Sequence, residues 1–580
     1  MKSKDTRKRA GTRTGANSGQ GNYDQIEGSR PSSVGRRVFL GKVGGVTAAS
    51  LAAGAIGLSP VLEAGSPRTE AQELEPLAES GPLSARKRAK KAFTLRVDVA
   101  QREKDLPLPS HPTNGDEERY PNKIASFSKG LPHNNLGEVD LNAYASLIRA
   151  VTTGNPADFE AIIIGGPRKL INPQAALAWE LEGPDSHHLA TPAPPAFSSA
   201  HSAGEMVELY WHALTRDVPF SEYDTNPLTN QAAADLSRMS DFRGPKAGGQ
   251  VTPATLFRAD MPGVLTGPYV SQFLLRDVAF GAYTSPQLMR TAAPGIDYMT
   301  VYDIWLAIQN SAAPGQQQLD PTLRYIRAGR DLARWVQVDV LFQAYFTATL
   351  ILLGLRAPFD AGNPYNSSRN QQGVGTLGNL HIQSLVPAVA TRAFKAIWFQ
   401  KWSVHRRLRP EMFGGRIHNH RIGAATYPIH PDILNSPALD AVFGGNGTYL
   451  LPQAFVEGSP THPSYAAGHA GIAGACVTIL KAFFDESFVI PNPVVASADG
   501  LTLIPFVGPP LTVGGELNKL GWNIAMGRDF AGIHYRSDQI DSMKLGEEVA
   551  IRFLKEEREC LSESFNGFSL TKFDGSVVTV

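Results

Sequence analysis

Hydrophobic positions recur at helical spacing along most of the chain beyond residue 200. The run 205–214 is amphipathic, and the run 332–341 leads into 344–355, which is almost wholly apolar. That apolar run is too short to cross a bilayer, so it predicts the centre of a helical bundle. Residues 386–405 predict a third long helix, which we expect Pro410 to end just after Arg409. Without a strand-rich block or an internal repeat, the predicted class is mainly α.

The N-terminal region has the pattern of an export signal. Residues 1–35 are polar and basic, and the pair Arg36-Arg37 precedes a weakly hydrophobic stretch at 43–62 that is rich in Ala and Gly. This order resembles a twin-arginine signal, with cleavage expected near Ala64 or Ala71. A single membrane anchor is the alternative, but Gly and Ala stand where Leu and Ile would be needed. We therefore expect a periplasmic or extracellular protein that is exported already folded.

Composition excludes several classes of protein. The chain has 580 residues, of which 42% are hydrophobic and 19% charged, so it is long enough for a large core. A net charge of +1 gives no reason to expect a nucleic acid or a stable membrane partner. The 2 cysteines do not indicate a disulfide framework, and Cys476 is expected to be a buried free thiol.

Three short segments, in a fixed order, carry residues suited to binding an oxyanion. The first contains Lys401 and Arg409-Pro410, the second the step Gly468-His469, and the third Arg528 and His534. Arg matches phosphate-like oxygens two at a time, whereas Lys is a point charge that can follow one oxygen. The small-residue run after His469 predicts a buried helix whose N-terminal amides face the anion. The set therefore predicts a site for a tetrahedral oxyanion.

The same three segments resemble the vanadium-dependent haloperoxidases, whose fold and anion site are shared with histidine acid phosphatases. The resemblance is closest to the bromoperoxidases of red algae and related bacterial enzymes. It rests on the spacing from Lys401 to Arg409, on the run 462–465 before the Gly-His step, and on further segments at 114–118, 129–134, 208–220 and 267–273. It covers roughly residues 90–560.

The resemblance implies two packed four-helix bundles with long loops, in the manner of the haloperoxidases and acid phosphatases. The expected organisation is a disordered basic leader and signal at 1–71, a loop-rich and helical wrap at 72–200, a first helical bundle at 201–380, a catalytic bundle with the anion site at 381–560, and a tail at 561–580. We also expect a homo-oligomer.

The resemblance also implies a cofactor and a role for each site residue. Vanadate would be bonded through His534 alone, with its oxygens neutralised by Lys401, Arg409, Arg528 and the Gly468 amide. His469 would act as general base toward hydrogen peroxide, and Lys401 would polarise the peroxide bond. The expected substrates are peroxide, a halide (bromide above all, also iodide) and an organic acceptor. Trp398 and His462 would flank the halide approach, and Asp538 would either orient His534 or cap a helix.

One position departs from the family pattern. The family usually has Ser immediately before Gly-His, where its hydroxyl bonds a vanadate oxygen, and this chain has Ala467. Losing one hydrogen bond to a charged ligand costs on the order of 1–3 kcal/mol. Gly527, where the wider superfamily often has Ser, is a milder change because Arg528 is retained.

Other interpretations remain open. An acid phosphatase would use the same residues, with His534 as nucleophile and His469 as general acid. A non-catalytic oxyanion-binding protein is the other alternative, although it would not need both histidines. A cluster of His and Arg residues at 405–407 and 418–430 lacks zinc spacing and predicts structural or entrance-lining roles. The oxygen-rich loop from Asp360 to Asn363 raises the expectation of a structural Ca²⁺.

Overall fold

The structure is a computed structural model that describes residues 84–580. The predicted leader, the Arg36-Arg37 pair and the stretch 43–62 lie outside the described residues. The chain forms two compact units, Met1–Gln101 and Arg102–Val580. In the first unit, the described part is the beginning of a polar, exposed helix.

Helices dominate the described residues. In chain order they are α1 (Ala85–Asp105), α2 (Asp116–Arg119), α3 (Leu141–Thr153), α4 (Pro156–Glu160), α5 (Ala200–Thr215), α6 (Pro227–Arg238), α7 (Tyr302–Gln309), α8 (Gly329–Val338), α9 (Gln343–Gly354), α10 (Asn379–Phe399), α11 (Pro410–Arg421), α12 (Pro431–Leu434), α13 (Pro437–Asn446), α14 (Gly468–Phe483), α15 (Val513–Phe530) and α16 (Arg536–Glu559). The predicted mainly helical class is confirmed.

Eight short strands pair as four separate antiparallel two-stranded sheets within the described part of the chain. They are β1 (Val278–Phe280) with β2 (Tyr283–Ser285), β3 (Met289–Ala292) with β4 (Leu319–Arg324), β5 (Val494–Ala496) with β6 (Leu503–Pro505), and β7 (Ser569–Thr571) with β8 (Val577–Thr579). No pair of strands joins another pair in a larger sheet, so helices form the main body of the described chain.

Helix α14 lies at the centre of a bundle and packs against α10, α15 and α16. Glycine permits its close approach to α16. A Cβ added at Gly474 would lie 2.0 Å from the Met543 carbonyl oxygen, and one added at Gly546 would lie 1.9 Å from the Gly471 carbonyl oxygen. Because both distances are far below van der Waals contact, the crossing of these two helices requires glycine. The bundle thereby holds the N-terminus of α14 in a fixed position.

A second group of helices surrounds α5, which packs against α6, α12, α13 and α15. The amphipathic pattern at 205–214 suggested one exposed face, but nearly every residue of α5 is buried. Its polar face is buried as well, because Glu205 and Glu208 pair with arginines from the rest of the core. Ion pairing therefore replaces solvent on that face.

The helix predicted at 386–405 is present and ends at His405, but the prediction that Pro410 ends it was wrong. Helix α10 begins earlier, at Asn379, and continues from Phe399 into one π-helical segment, Gln400–His405. Arg406 then takes a left-handed conformation with φ of 40° and stops the helix. Pro410 is the first residue of α11, a position where its missing N–H is harmless, and Arg409 is the residue that caps it.

The apolar segment at 332–355 is two helices and not one continuous bundle element. Helices α8 and α9 meet at an angle of 102° across a short break that contains Asp339. This pair, taken together, passes a test of length and hydropathy for a membrane span, whereas no single helix among residues 84–580 does.

The predicted boundaries at 200, 380 and 560 stay predictions. Helix α8 comes from the segment 201–380, yet it packs against α15 of the segment 381–560. The segment 561–580, predicted as a tail, contains the hairpin β7–β8, and β7 packs against α14. Cys476 is a buried free thiol, as expected, and Cys560 is an exposed one.

Candidate active site

Lys401 lies in the π-helical segment and is wholly buried. Its Nζ donates to the carbonyl oxygens of Pro463 at 2.6 Å and Ser464 at 2.8 Å. Two of its three N–H donors are therefore used to hold the ammonium in place. One donor remains for a ligand.

Arg409 is also fully buried and is fixed by a different part of the same loop. Its Nε donates to the His462 carbonyl oxygen at 2.9 Å, and one terminal nitrogen donates to the Ile533 carbonyl oxygen at 2.8 Å. The other terminal nitrogen lies 2.9 Å from Nδ1 of His462. The guanidinium is thus oriented by backbone acceptors before any ligand binds.

His534 has one ring nitrogen committed to a carboxylate and the other aimed at the cations. Nδ1 lies 2.9 Å from Asp538 Oδ2, and Nε2 lies 2.9 Å from a terminal nitrogen of Arg409. A proton on Nδ1 leaves the lone pair on Nε2, the arrangement that a ligand histidine needs. Burial first, and then Arg409 and Lys401, lower the pKa of His534 well below its usual value. The imidazole is therefore neutral.

Asp538 performs both of the roles between which the sequence could not choose. Its Oδ2 holds His534 and also accepts the Tyr535 backbone N–H at 3.2 Å, which caps α16. The Ser464 hydroxyl donates to the same oxygen at 2.5 Å. Arg407 donates to Oδ1 at 2.7 Å.

Arg407, which the sequence suggested as structural or entrance-lining, is a buried member of this network. It bridges Asp538 and Glu205, with a nitrogen 2.9 Å from Glu205 Oε2. Its guanidinium carbon also lies 3.8 Å from the centre of the Tyr535 ring. Arg407 and Asp538 therefore form a buried ion pair, and the negative charge of Asp538 also opposes the lowering of the pKa of Lys401 and Arg409.

The step Gly468-His469 opens α14, as predicted from the small-residue run, and Ala467 is the capping residue. Ala467 has no side chain to cap the helix, and its own N–H donates to the Ser542 hydroxyl at 2.7 Å. The first amides of α14, including that of Gly468, point out of the helix without intrahelical acceptors. They add a partial positive charge to the site.

Arg528, near the end of α15, is held by a single hydrogen bond to the backbone. One terminal nitrogen donates to the Val336 carbonyl oxygen at 2.7 Å, at the end of α8. The Phe455 ring lies beside it, with its centre 5.5 Å from the guanidinium carbon. Its buried Nε has no hydrogen-bond partner among residues 84–580. Buried donors without partners are rare, so this arginine is suited to binding an anion.

His469 is paired with Asp339, a residue that sequence reasoning missed. Nε2 of His469 lies 3.0 Å from Asp339 Oδ1. Burial lowers the pKa of His469, Asp339 opposes that shift, and Arg528 adds to it. If Nε2–H is donated to Asp339, the lone pair lies on Nδ1, which can accept a proton.

Burial and the charges of neighbouring cations lower the pKa of the basic groups of the site. Burial first, and then the charge of Arg528, lower the pKa of Arg409 to about 9. Burial lowers the pKa of Arg528 to about 10. The pKa of Lys401 falls well below its usual value through burial and then the charge of Arg409. A negative charge bound among these three groups would oppose each of these shifts, because it favours the charged form of every one of them.

Trp398 and His462 lie side by side, as the predicted halide approach requires. Their ring centres are 4.8 Å apart, and the Trp398 Nε1 donates to the Asn172 carbonyl oxygen at 3.0 Å. Lys401 Nζ lies 5.9 Å from the centre of the Trp398 ring. The structure therefore brings together all nine predicted residues, which are Trp398, Lys401, Arg409, His462, Gly468, His469, Arg528, His534 and Asp538.

The residues that the sequence did not reveal as site residues are Asp339, Ser464 in its contact with Asp538, and Glu205. Asp339 follows α8, far along the chain from the three motifs, and a lone acidic residue after a helix carries no signal of its own. Ser464 lies within the recognised run 462–465, and only its contact was hidden. Among residues 84–580 there is no cluster of three or more His, Cys, Asp or Glu side chains that could hold a metal ion.

Comparisons with known proteins agree on one family. The family model described as the VCPO second helical-bundle domain matches residues 448–563, which contain the second and third motifs. The vanadium-dependent bromoperoxidase of Corallina officinalis is 37% identical over 590 residues, covering 85% of this chain and 98% of that protein. The vanadium-dependent bromoperoxidase of Ascophyllum nodosum is 38% identical over 523 residues, covering 86% and 93%.

A solved structure agrees with this grouping. The homohexameric second vanadate-dependent bromoperoxidase from Ascophyllum nodosum superposes with a TM-score of 0.81 at 34% sequence identity. The match covers 85% of this chain and 90% of that one. The likeness therefore extends over the whole helical body and is not confined to the site.

Proposed function

The chain belongs to the vanadium-dependent bromoperoxidase family, and from that premise we propose that it uses hydrogen peroxide to oxidise halide, bromide above all and also iodide, to hypohalous acid that halogenates organic acceptors. One observation carries the proposal. Three buried cations, a helix N-terminus and a histidine nitrogen that its carboxylate partner leaves unprotonated converge on one place.

The residues present fit a vanadate cofactor. His534 Nε2 would bond the metal, and the donors of Lys401, Arg409, Arg528 and the Gly468 amide would hold the oxygens. The orphaned Arg528 Nε is the sign in the structure that such a ligand is needed. Bound vanadate would supply a Lewis-acidic centre that makes peroxide electrophilic toward halide without a change of oxidation state.

His469 is the residue that moves a proton. With Nε2–H directed to Asp339, Nδ1 can take the proton that hydrogen peroxide loses on binding. The carboxylate of Asp339 fixes the tautomer and stabilises the imidazolium that forms. Asp339 is therefore a positioning residue for this base.

Lys401 supplies the electrostatic contribution. Two backbone carbonyls hold its ammonium, so its third N–H can donate to the oxygen on which negative charge develops. Because the group is buried and already oriented, little reorganisation is needed at the moment of reaction. Arg409 and Arg528 are held by backbone carbonyls in the same manner.

A side-by-side assay separates this function from the phosphatase alternative. Apoprotein is incubated with vanadate or with phosphate, and each sample is assayed for peroxide-dependent bromination and for phosphate-ester hydrolysis. The proposal predicts bromination with vanadate and none with phosphate. Hydrolysis together with a lack of bromination at saturating vanadate would establish the phosphatase.

Assembly into a homo-oligomer is proposed from the homohexameric relative. Light scattering coupled to size exclusion should give a mass that is a multiple of the 62.5 kDa chain, less any residues removed on export. A monomer at micromolar concentration would contradict it.

Export through a twin-arginine system is proposed from Arg36-Arg37 and the stretch 43–62. Replacing both arginines with lysine should keep the protein in the cytoplasm of an expressing bacterium, whereas the parent is found outside the inner membrane. Equal distribution of the two would contradict the proposal.

A structural Ca²⁺ at the loop from Asp360 to Asn363 stays a prediction. Asp360 Oδ1 accepts the Gly362 N–H at 2.9 Å, and Asn363 Oδ1 accepts the Tyr365 N–H at 3.0 Å, so both side chains already serve the turn. Chelator treatment should lower the melting temperature if Ca²⁺ is bound there, and an unchanged melting temperature would contradict it.

A further inference from the structure

Among the site residues, His469 is the one that solvent reaches most. Lys401 and Arg409 are wholly buried, whereas the side chain of His469 is 13% exposed and Arg528 is 8% exposed. Solvent therefore comes nearest to the site beside His469, with Arg528 next to it and less exposed. The groups that surround Arg528 and His469 therefore lie on the approach.

A carboxylate that has no part in the proposed chemistry lies on this approach. Glu457 is two residues from Phe455, whose ring lies beside Arg528. Both of its carboxylate oxygens accept from the Gln337 side-chain amide, at 3.0 and 3.2 Å. Gln337 directly follows Val336, whose carbonyl oxygen holds Arg528. Glu457 is thus fixed to the same helix end that braces the site.

The position of Glu457 is rigid on both sides. Its backbone carbonyl accepts from the buried Lys129 Nζ at 2.8 Å, and Lys129 also pairs with Glu411. On the other side, the side-chain amide oxygen of Gln337, Oε1, accepts from Arg334 at 2.8 Å. The backbone and the carboxylate of Glu457 are therefore each held by a separate hydrogen bond donor.

The charge of Glu457 reaches the site. Burial lowers the pKa of Arg528, and Asp339 and then Glu457 oppose that shift by their negative charges. A negative charge that attracts Arg528 repels any anion that approaches this arginine. Hydrogen peroxide is neutral and is not affected by this charge, whereas a halide is.

We propose that Glu457 is a specificity-determining residue that sets the KM for halide by repelling anions at the entrance of the site. The inference rests on the proposed function. It implies that the enzyme distinguishes its two small substrates by charge at the entrance, before either reaches the buried cations.

The decisive variant is Glu457→Gln, which keeps an acceptor for Gln337 and removes the charge. It should lower the bromide KM by about threefold or more at low ionic strength, as expected for one unit charge in a partly wet entrance. The peroxide KM should stay unchanged. The bromide effect should shrink as inert salt is added, because exposed charges are screened.

Two further variants separate charge from contact. Glu457→Asp keeps the charge with a shorter reach and should leave the bromide KM close to that of the parent. Glu160→Gln makes the same substitution at an exposed residue at the end of α4 and should change neither KM. The Glu457→Gln apoprotein should also bind vanadate more tightly than the parent in an equilibrium titration, and this readout does not depend on turnover.

The outcomes are distinct. A parent protein that does not brominate at all would refute the proposed function. A parent that brominates, with a Glu457→Gln variant whose bromide KM is unchanged or moves together with the peroxide KM, would overturn the role of Glu457 alone.

Discussion

Restoring a hydroxyl at residue 467 should tighten vanadate binding. Ala467 is the capping residue of α14, is wholly buried, and directly precedes the Gly468 amide that faces the anion. The family usually has Ser at this position. Ala467→Ser would place a donor where the chain now has only a methyl group.

The structure shows that neighbouring hydroxyls do not replace the missing one. The Ser464 hydroxyl donates to Asp538 at 2.5 Å, and the Tyr465 hydroxyl lies 2.8 Å from the Pro192 carbonyl oxygen and 3.0 Å from Asp541. A recovered hydrogen bond to a charged ligand contributes about 1.5–3 kcal/mol. Taking the lower end, the dissociation constant should fall by roughly tenfold.

The assay is equilibrium titration of the apoprotein with vanadate, followed by dialysis or by the ⁵¹V resonance of free vanadate. Ala467→Gly is the matched control, because it also lacks a hydroxyl and should bind as the parent does. A serine cap also stabilises a helix by about 1 kcal/mol. That gain is common to the free and bound protein, so it raises the melting temperature without entering the dissociation constant.

Equal affinities for the parent and Ala467→Ser would refute this reasoning. Because Ser464 and Tyr465 are committed elsewhere, such a result would mean that water already donates to that oxygen. A lower dissociation constant for vanadate in Ala467→Gly than in the parent would show that backbone freedom, and not the hydroxyl, controls binding.

Three further variants test the roles assigned to the site histidines. His534→Ala should abolish bromination and leave only weak electrostatic vanadate binding, and unchanged bromination would show that the metal ligand is misassigned. His469→Ala should lower the turnover number by about 10²–10⁴-fold while vanadate affinity, measured by titration, changes much less. Asp339→Asn removes the charge that raises the pKa of His469. The base then stays neutral to lower pH, so the acidic limb of the kcat/KM profile for peroxide should move down in pH, and a shift upward would contradict the pairing.

The sequence predicted the helical class and the site residues because each rests on local information. Helical periodicity and the spacing of Lys401, Arg409, His469, Arg528 and His534 are both written within short segments. The end of α10 could not be predicted in the same way. A proline that follows an arginine is compatible both with the end of one helix and with the start of the next. The π-helical segment that ends α10 before Pro410 has no sequence signature, so the sequence could not distinguish the two.

Residues that act on the site electrostatically from a distance could not be predicted from the sequence either. Asp339 and Glu457 reach the site only because α8 packs on α15 and because Lys129 fixes the loop at 457. Neither residue stands beside a motif with a known spacing. Their contribution is electrostatic and depends on burial, which is a property of the fold.

The position of vanadium in the protein tests the central claim most directly. Crystals of the protein soaked in vanadate, measured at the vanadium absorption edge, should show one anomalous peak within bonding distance of His534 Nε2 and surrounded by Lys401, Arg409 and Arg528. A peak elsewhere, or none at saturating vanadate, would contradict the claim that these residues form a vanadate site.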